Sequence, residues 1–229
     1  MNLSLLYRKI TNRWKKIRLQ PIRVFCLHHV TNQFDASSMN EGDWMALDDF
    51  KSKVQSMRQS GVRFISLAEA YRMLESNIFR FKKCAVLAFD DGYASLKEVL
   101  PWLEDNKIQA VLFVNGKYLD GVSYRKNPNE QYLSQDEVFA LNSPYIEIGS
   151  HGWEHTDASV MSTEDFVNHI NLNVQLLKKH TRYIPFHAYT WGKHTNDTDY
   201  ILQSLSIIPV YIDGMKNYNE NNIIHRELL

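Results

Sequence analysis

The chain has 229 residues and no formal net charge, because 26 basic side chains balance 26 acidic ones when histidine is neutral. Hydrophobic residues make up 44%, and no apolar run approaches the roughly 18 residues of a membrane span, so the composition excludes a disordered chain and indicates one folded domain. The neutral total argues against a nucleic-acid partner, which a basic excess would favour, and two cysteines cannot build a disulfide framework.

Residues 1–22 form a basic amphipathic segment. Its apolar side chains share one helical face, and its cations are mixed among them rather than placed before an unbroken apolar stretch. That mixture is not typical of a signal peptide, so we expect a cytoplasmic protein. Two interpretations remain open: residues 1–20 contact an anionic membrane surface at its inner face, or they form an ordinary helix packed on the domain with its lysines in water.

Beyond residue 22, short apolar runs alternate with segments of helical period. We predict strands at 24–27, 63–65, 85–89, 110–114, 145–148, 185–189 and 207–212, with a short terminal strand at 223–224. We predict helices at 48–60, 67–74, 94–106, 163–180 and 197–205, the third one kinked or beginning near Pro101. The polar stretch 115–132 is predicted to be a long loop, and Ser134 with Glu137 resembles a capping box that opens a helix.

This alternation predicts parallel β/α units with helices outside a sheet or barrel of about seven strands. Polar clusters follow three of the strands, at 28–29, 90–93 and 149–155. In such folds chemistry gathers beyond the carboxyl ends of the strands, so we expect the three clusters to meet on one rim.

The first candidate chemistry is a metal site. His151 and His155 have a spacing that lets two imidazoles bind one ion, although two surface histidines would look the same. One carboxylate of Asp90 and Asp91 could complete a set of two histidines and one carboxylate, and the other could act as a general base. The alternative is a simple Asp-Gly turn in which one aspartate caps the next helix.

The pair His28-His29 could supply a proton donor. An imidazole on the same rim could protonate a leaving nitrogen. Adjacent strand residues point to opposite faces, so only one of the two can easily face the site. A buried histidine bonded to backbone is the alternative for either one.

These residues resemble a known family. The run Ala85-Val86-Leu87-Ala88-Phe89-Asp90-Asp91-Gly92-Tyr93 resembles the first motif of NodB-type polysaccharide deacetylases, the fourth family of carbohydrate esterases. The run Gly149-Ser150-His151-Gly152-Trp153-Glu154-His155 resembles the second motif. Leu27-His28-His29-Val30 is similar to the Tyr-His-x-Val segment of the branch that deacetylates poly-N-acetylglucosamine, with Leu27 in place of the tyrosine. The resemblance covers residues 23–229, which we take as the catalytic domain.

The resemblance implies an α/β fold, a distorted (β/α)7 barrel. It also implies a divalent cation, usually zinc, and a hydrolase that removes N-acetyl groups from an N-acetylated glycan or glycan precursor by attack of metal-bound water. Carried over by motif, Asp90 is the general base, His28 is the general acid, and the backbone N–H of Tyr93 holds the oxyanion. The implied metal ligands are Asp91, His151 and His155.

Departures from the family pattern concern the third motif, here His187-Ala188-Tyr189-Thr190-Trp191-Gly192. It has no arginine to orient the base, and Thr190 replaces a proline. Ile223-Ile224-His225 loosely resembles a late Leu-x-His motif, which makes His225 a second candidate acid. The candidate sugar-stacking residues, which could equally be core or rim aromatics, are Trp153, Tyr189 and Trp191.

Two other functions remain open. The same metal site could serve an O-acetyl esterase or an amide hydrolase that acts on a non-sugar substrate. A catalytically silent carbohydrate-binding homologue is a third possibility, against which the Asp-Asp-His-His set argues, since a binder needs no base off the metal.

Overall fold

The computed structural model describes residues 20–37, 39–76, 83–120, 131–218 and 223–229. Its strands are β1 (Ile22–Leu27), β2 (His29–Val30), β3 (Trp44–Met45), β4 (Arg63–Phe64), β5 (Cys84–Phe89), β6 (Ala110–Val114), β7 (Ile146–Ser150), β8 (Tyr183–Ala188), β9 (Ile208–Ile212) and β10 (Ile224–Leu228). Its helices are α1 (Leu47–Gln59), α2 (Leu67–Glu75), α3 (Leu96–Asp105), α4 (Gln135–Ala140), α5 (Thr163–Leu177) and α6 (Asn196–Ser204). The basic segment at 1–19 lies outside the described residues.

Seven parallel strands close into a barrel. Strands β5 to β10 pair in sequence order, and β1 closes the ring by pairing with both β5 and β10. Strand β4 pairs with the first two residues of β5, and β2 pairs with β3 outside the ring. Because all seven strands run in parallel, their carboxyl ends meet on one rim, as expected from the alternation in the sequence.

Alternate strand residues divide the core into two layers. Val86, Ala88 and Phe113 point into the barrel. Leu67 and Ala70 of α2 pack against this inner cluster. The intervening residues point outward, onto helices such as α1 and α3. This alternation with period two decides which side chain of each strand end reaches the rim.

The predicted elements agree with the structure, with a few differences. The helix predicted at 94–106 begins at Leu96 and contains Pro101, so a beginning near Pro101 is wrong. The terminal strand is longer than predicted, at Ile224–Leu228. The capping box of Ser134 and Glu137 is confirmed. In the predicted loop, residues 116–120 form a 3-10 helix, and residues 121–130 lie outside the described part. Among the described helices, none is long and apolar enough to cross a membrane.

Candidate active site

A sharp turn after β5 brings two consecutive carboxylates to the rim. Asp90 is held at the end of the strand by a hydrogen bond from its amide to the carbonyl oxygen of Leu27, at 2.8 Å. Asp91 then takes a left-handed conformation, with φ 71°, and Gly92 follows at φ 81°. In a regular strand the two carboxylates would point to opposite faces, so this turn lets both side chains approach the same site.

Asp91 lies between two imidazoles. Its Oδ1 is 3.4 Å from Nε2 of His151 and 3.3 Å from Nε2 of His155. Nδ1 of His151 lies 2.7 Å from the carbonyl oxygen of Ala188, which fixes the ring with Nε2 toward Asp91. The three residues are buried or half-buried and have the ligand types and proximity that a metal ion requires.

The loop that carries the two histidines is fixed from behind. Nδ2 of Asn115 donates to the carbonyl oxygen of His151, at 2.7 Å. Gly152 has φ 85°, and a Cβ at this position would overlap the ring of His169. That ring accepts a hydrogen bond from the backbone N–H of Trp153 at Nε2, at 3.1 Å. Burial lowers the pKa of His169 to about 4, so the ring is neutral and can accept.

A buried arginine holds Asp90. Nη1 of Arg226, on β10, donates to both carboxylate oxygens of Asp90, at 2.6 and 2.9 Å. Burial alone would raise the pKa of Asp90, but Arg226, assisted by His151 and His28, holds it below its ordinary value. The third motif has no arginine, as noted from its sequence, and the last strand supplies one to Asp90 instead.

The sequence contained a weak signal for this residue. An arginine placed directly after two apolar residues and a histidine, in a segment read as strand, is either exposed at an edge or paired when buried. With only 223–224 predicted as strand, the interior position of Arg226 could not be assigned.

His28 stands beside Asp90. Ligand-capable atoms of His28, Cys26 and Asp90 all lie within 4.8 Å of one another. His29 is buried and stacks on the ring of Tyr93, with ring centroids 3.6 Å apart. Of the two histidines, His28 is therefore the one that lies near Asp90, and their alternation predicted that only one of the pair would face the site.

His225 lies on the opposite face of its strand. Its neighbour Arg226 points into the barrel, whereas Nδ1 of His225 contacts Oδ2 of Asp213 at 2.6 Å and its ring lies against Tyr211. Adjacent strand residues point to opposite faces, so His225 is turned away from Asp90. The structure does not bring this second candidate acid to the site.

The candidate sugar-stacking residues divide by exposure. Tyr189 is buried in the outer layer, where its hydroxyl donates to Oδ1 of Asp199 at 2.9 Å. Tyr189 lies on the outer face, one residue after inward-facing Ala188, so its ring is not available for stacking on a sugar. The Tyr93 side chain is also buried, so a role in binding would fall to its backbone.

The two tryptophans differ as well. Trp153 is half-buried and its ring packs over Gly116, where a Cβ would overlap it. Trp191 is 61% exposed and meets the ring of His155 edge-on, with centroids 4.4 Å apart. Trp191 is thus the aromatic side chain that combines exposure with contact to the histidine cluster.

Comparison with known proteins identifies the family and the fold. The family described as polysaccharide deacetylase matches residues 80–210, and the chain belongs to that family. No curated protein matches. The IcaB structure from Ammonifex degensii is 22% identical with a TM-score of 0.78, over 93% of each chain. The deacetylase PplD of Streptococcus pyogenes, solved with acetate, is 20% identical with a TM-score of 0.78, over 92% of this chain and 93% of that one.

A de-N-acetylase from Aggregatibacter actinomycetemcomitans is 14% identical, with a TM-score of 0.78 over 92% of this chain and 95% of that one. Likeness at these identities shows the fold, and the (β/α)7 barrel expected from the resemblance is confirmed. Family and fold together support carbohydrate deacetylation.

Proposed function

We propose that the chain is a metal-dependent hydrolase that removes N-acetyl groups from an N-acetylated glycan or glycan precursor. The observation that carries the proposal is the convergence of two different carboxylates on one rim. Asp91 lies between two imidazole nitrogens, whereas the preceding residue, Asp90, is bound by a buried arginine. A site for binding alone would not need the second carboxylate.

The residues fit a divalent ion. Donors about 2.0–2.1 Å from a tetrahedral ion stand about 3.3–3.4 Å apart, and the two carboxylate-to-imidazole distances around Asp91 are 3.4 and 3.3 Å. One carboxylate and two neutral imidazoles suit zinc and leave positions open for substrate and water. We therefore propose that Asp91, His151 and His155 hold zinc.

The ion, when bound, would polarise the acetyl carbonyl and lower the pKa of water toward about 7. Asp90, kept ionised by Arg226, accepts the proton of the attacking water at a carboxylate oxygen. The backbone N–H of Tyr93, just after the turn, is our candidate to hold the oxyanion. His28 donates a proton to the leaving nitrogen, so the products are acetate and a free amine. The mechanism needs no serine or cysteine nucleophile.

The proton donor is the argument for N-acetyl rather than O-acetyl substrates. An amine leaves only when its nitrogen is protonated, whereas an alkoxide leaving group depends less on a strong donor. His28 beside Asp90 supplies such a donor. Exposed Trp191 beside His155 supports a sugar ring as the substrate, because an aromatic face can stack on the apolar face of a sugar.

Acetate release separates the proposed activity from its alternatives. Zinc-loaded protein should release acetate from chitooligosaccharides faster than from acetylated xylan. The reverse preference would favour an O-acetyl esterase, and activity on simple amides alone would favour a non-sugar amide hydrolase. Absence of release from all three, with sugar binding retained, would identify a silent carbohydrate-binding homologue.

Two variants test the residue roles. Asp90→Asn should keep zinc by elemental analysis and lose most turnover, because the base is gone while the ligands remain. His151→Ala should lose zinc, whereas His194→Ala, a matched histidine paired with Asp199 outside the cluster, should keep it. Full zinc content in His151→Ala would overturn the ligand set, and wild-type turnover in Asp90→Asn would remove that residue as base.

We also propose that residues 1–20 contact anionic membrane from the cytoplasmic side. Support comes from the end of the barrel at which the strands begin. Ile22, the first residue of β1, and Arg63, the first residue of β4, both pair with Cys84, the first residue of β5, so all three lie at this end. A groove of about 690 Å³ at this end is lined by four cations, which are Arg58, Arg63, Lys83 and Lys107. This end is opposite the catalytic rim.

Sedimentation and cell fractionation test this proposal. The full chain should sediment with phosphatidylglycerol vesicles more than with phosphatidylcholine vesicles, and deletion of residues 1–20 should remove the difference. Equal partitioning of the two proteins would refute the membrane contact, and recovery outside the cytoplasm would refute the location.

A further inference from the structure

A second group of ligand-capable side chains lies beside the first, and it contains a thiol. We propose that Cys26, His28 and Asp90 form a second metal site, specific for a thiophilic divalent cation such as Zn²⁺ or Cd²⁺, and that its occupation inhibits the enzyme. The inhibition rests on the proposed function, whereas the binding does not.

The geometry comes from the alternation of β1. Cys26 and His28 are two residues apart, so both point into the barrel at its carboxyl end, toward Asp90. Sγ of Cys26 lies 3.4 Å from Oδ2 of Asp90, and the nearest ligand atoms of all three residues lie within 4.8 Å. Sulfur and oxygen donors on one tetrahedral zinc stand about 3.6 Å apart, so the pair needs almost no rearrangement.

An ion can reach this site. The side chain of His28 is 23% exposed and forms its outer wall, while Cys26 is buried beneath it. The thiol now donates to Asp90, so binding exchanges a proton for a metal: the S–H bond breaks, an S–metal bond forms, and the proton leaves to solvent. A carboxylate has about four lone-pair sites. Oδ1 of Asp90 can therefore keep its hydrogen bond from Arg226 while Oδ2 binds the ion.

The second site should be weaker than the first. Cys26 must give up the proton that it donates to Asp90 before it can bind the ion, a step that neutral imidazole ligands do not require. The guanidinium of Arg226 repels an incoming cation, as does an ion already held by Asp91. We therefore expect the second site to fill only when the metal is in excess over one equivalent.

Occupation would inhibit because two ligands of the second site, Asp90 and His28, are the proposed base and proton donor. The ion would take the Oδ2 lone pair of Asp90, which also lies 3.9 Å from Nε2 of His151, and the imidazole of His28. The base and the proton donor would both be blocked while the first ion stayed in place. Substrate would then be bound without being hydrolysed.

The chain provides a matched control for the binding test. Cys84, its other cysteine, is also buried in the barrel core, at the start of β5. Protein holding one equivalent of zinc is titrated with Cd²⁺ while its ultraviolet thiolate-to-cadmium absorption is recorded. Wild-type protein and Cys84→Ala should take up a further equivalent and develop the band. Cys26→Ala should lack the band and bind that equivalent at least about tenfold more weakly, since even outer partners of a metal site count for about 10- to 100-fold.

Cys26→Ser controls for a loss of structure in Cys26→Ala, because its hydroxyl can still donate to Asp90 but offers no thiolate. The same loss of the band in this variant, with an unchanged melting temperature, supports the site. A band that survives in Cys26→Ser, or disappears in Cys84→Ala, overturns the proposal, as does uptake of no second equivalent by wild type.

Excess zinc should lower acetate release by wild type and Cys84→Ala, each measured against its own rate at one equivalent, and should affect Cys26→Ser at least tenfold less. Equal inhibition of all three would overturn the inhibitory role. If the protein released no acetate at all, the proposed function would fail while the cadmium titration still decided the site.

Discussion

The pair of Arg226 and Asp90 offers the sharpest test of the site. Both side chains are buried, at 1% and 3% exposure, and Nη1 of Arg226 contacts both oxygens of the carboxylate. Removal of one partner from a buried ion pair leaves an uncompensated charge and costs about 3–5 kcal/mol. We predict that Arg226→Met, which keeps the length of the side chain but no charge, lowers the free energy of unfolding by that amount.

Urea unfolding, followed by far-ultraviolet circular dichroism, measures the effect. Asp90→Asn should be less costly, because Arg226 then faces a neutral amide oxygen, and Asp90→Asn combined with Arg226→Met should recover part of the loss of Arg226→Met. A cost below about 1 kcal/mol, or a double variant whose changes simply add, would refute the coupling that we infer from the contacts.

The Arg226→Met variant also tests the charge of Asp90, the proposed base. The pKa of Asp90 is lowered in the folded protein, so its ion pair stabilises the fold at pH above the ordinary carboxyl value of about 3.9 and loses this effect as pH falls through the lower folded pKa. Without Arg226, burial raises the pKa of Asp90, so the acid limb of the rate profile should move to higher pH. An unmoved limb would mean that Arg226 does not keep Asp90 ionised.

Three further predictions concern the surroundings of the histidines. Trp191→Ala should raise KM for a glycan about 2- to 10-fold with little change in kcat, because aromatic stacking contributes about 0.5–1.5 kcal/mol, and a loss confined to kcat would contradict this role. Gly152→Ala should lower the melting temperature more than Gly61→Ala does, since both have positive φ but only the first would strike His169; equal shifts would refute the steric argument. The pKa of His169, lowered to about 4, predicts that stability falls by up to about 3 kcal/mol as pH drops from 6.5 to 4, and His169→Gln should remove that part of the pH dependence of the melting temperature.

The cluster of Asp91, His151 and His155 was predictable because its information is local. Asp90 and Asp91 come directly after an apolar strand and before a glycine, and His151 and His155 share one short loop after another strand, so parallel strand order brings both segments to one rim. The barrel followed in the same way from alternating strands and helices. Neither inference required knowledge of strand register.

The sequence could not assign residues whose role depends on which way a strand residue faces. Arg226 and His225 are neighbours, and the resemblance drew attention to the histidine, whereas register with β9 and β1 turns the arginine inward. Tyr189 was left open between a stacking surface and a core aromatic for the same reason, and the structure has it buried, one residue after inward-facing Ala188. A strand predicted two residues long cannot fix this parity, since a shift of one residue exchanges its faces.

The different roles of two adjacent aspartates depend on backbone conformation. If Asp91 continued the strand, its carboxylate would point away from the barrel and could not meet Nε2 of His151. Its left-handed φ of 71° turns it to the rim, at a cost of about 1–2 kcal/mol that aspartate tolerates better than most residues. Gly92 continues the turn at positive φ, where any side chain would be strained. One carboxylate thus remains with Arg226 inside the barrel and the other leaves the strand for the histidines, which is the arrangement that our proposal of a base held off the metal requires.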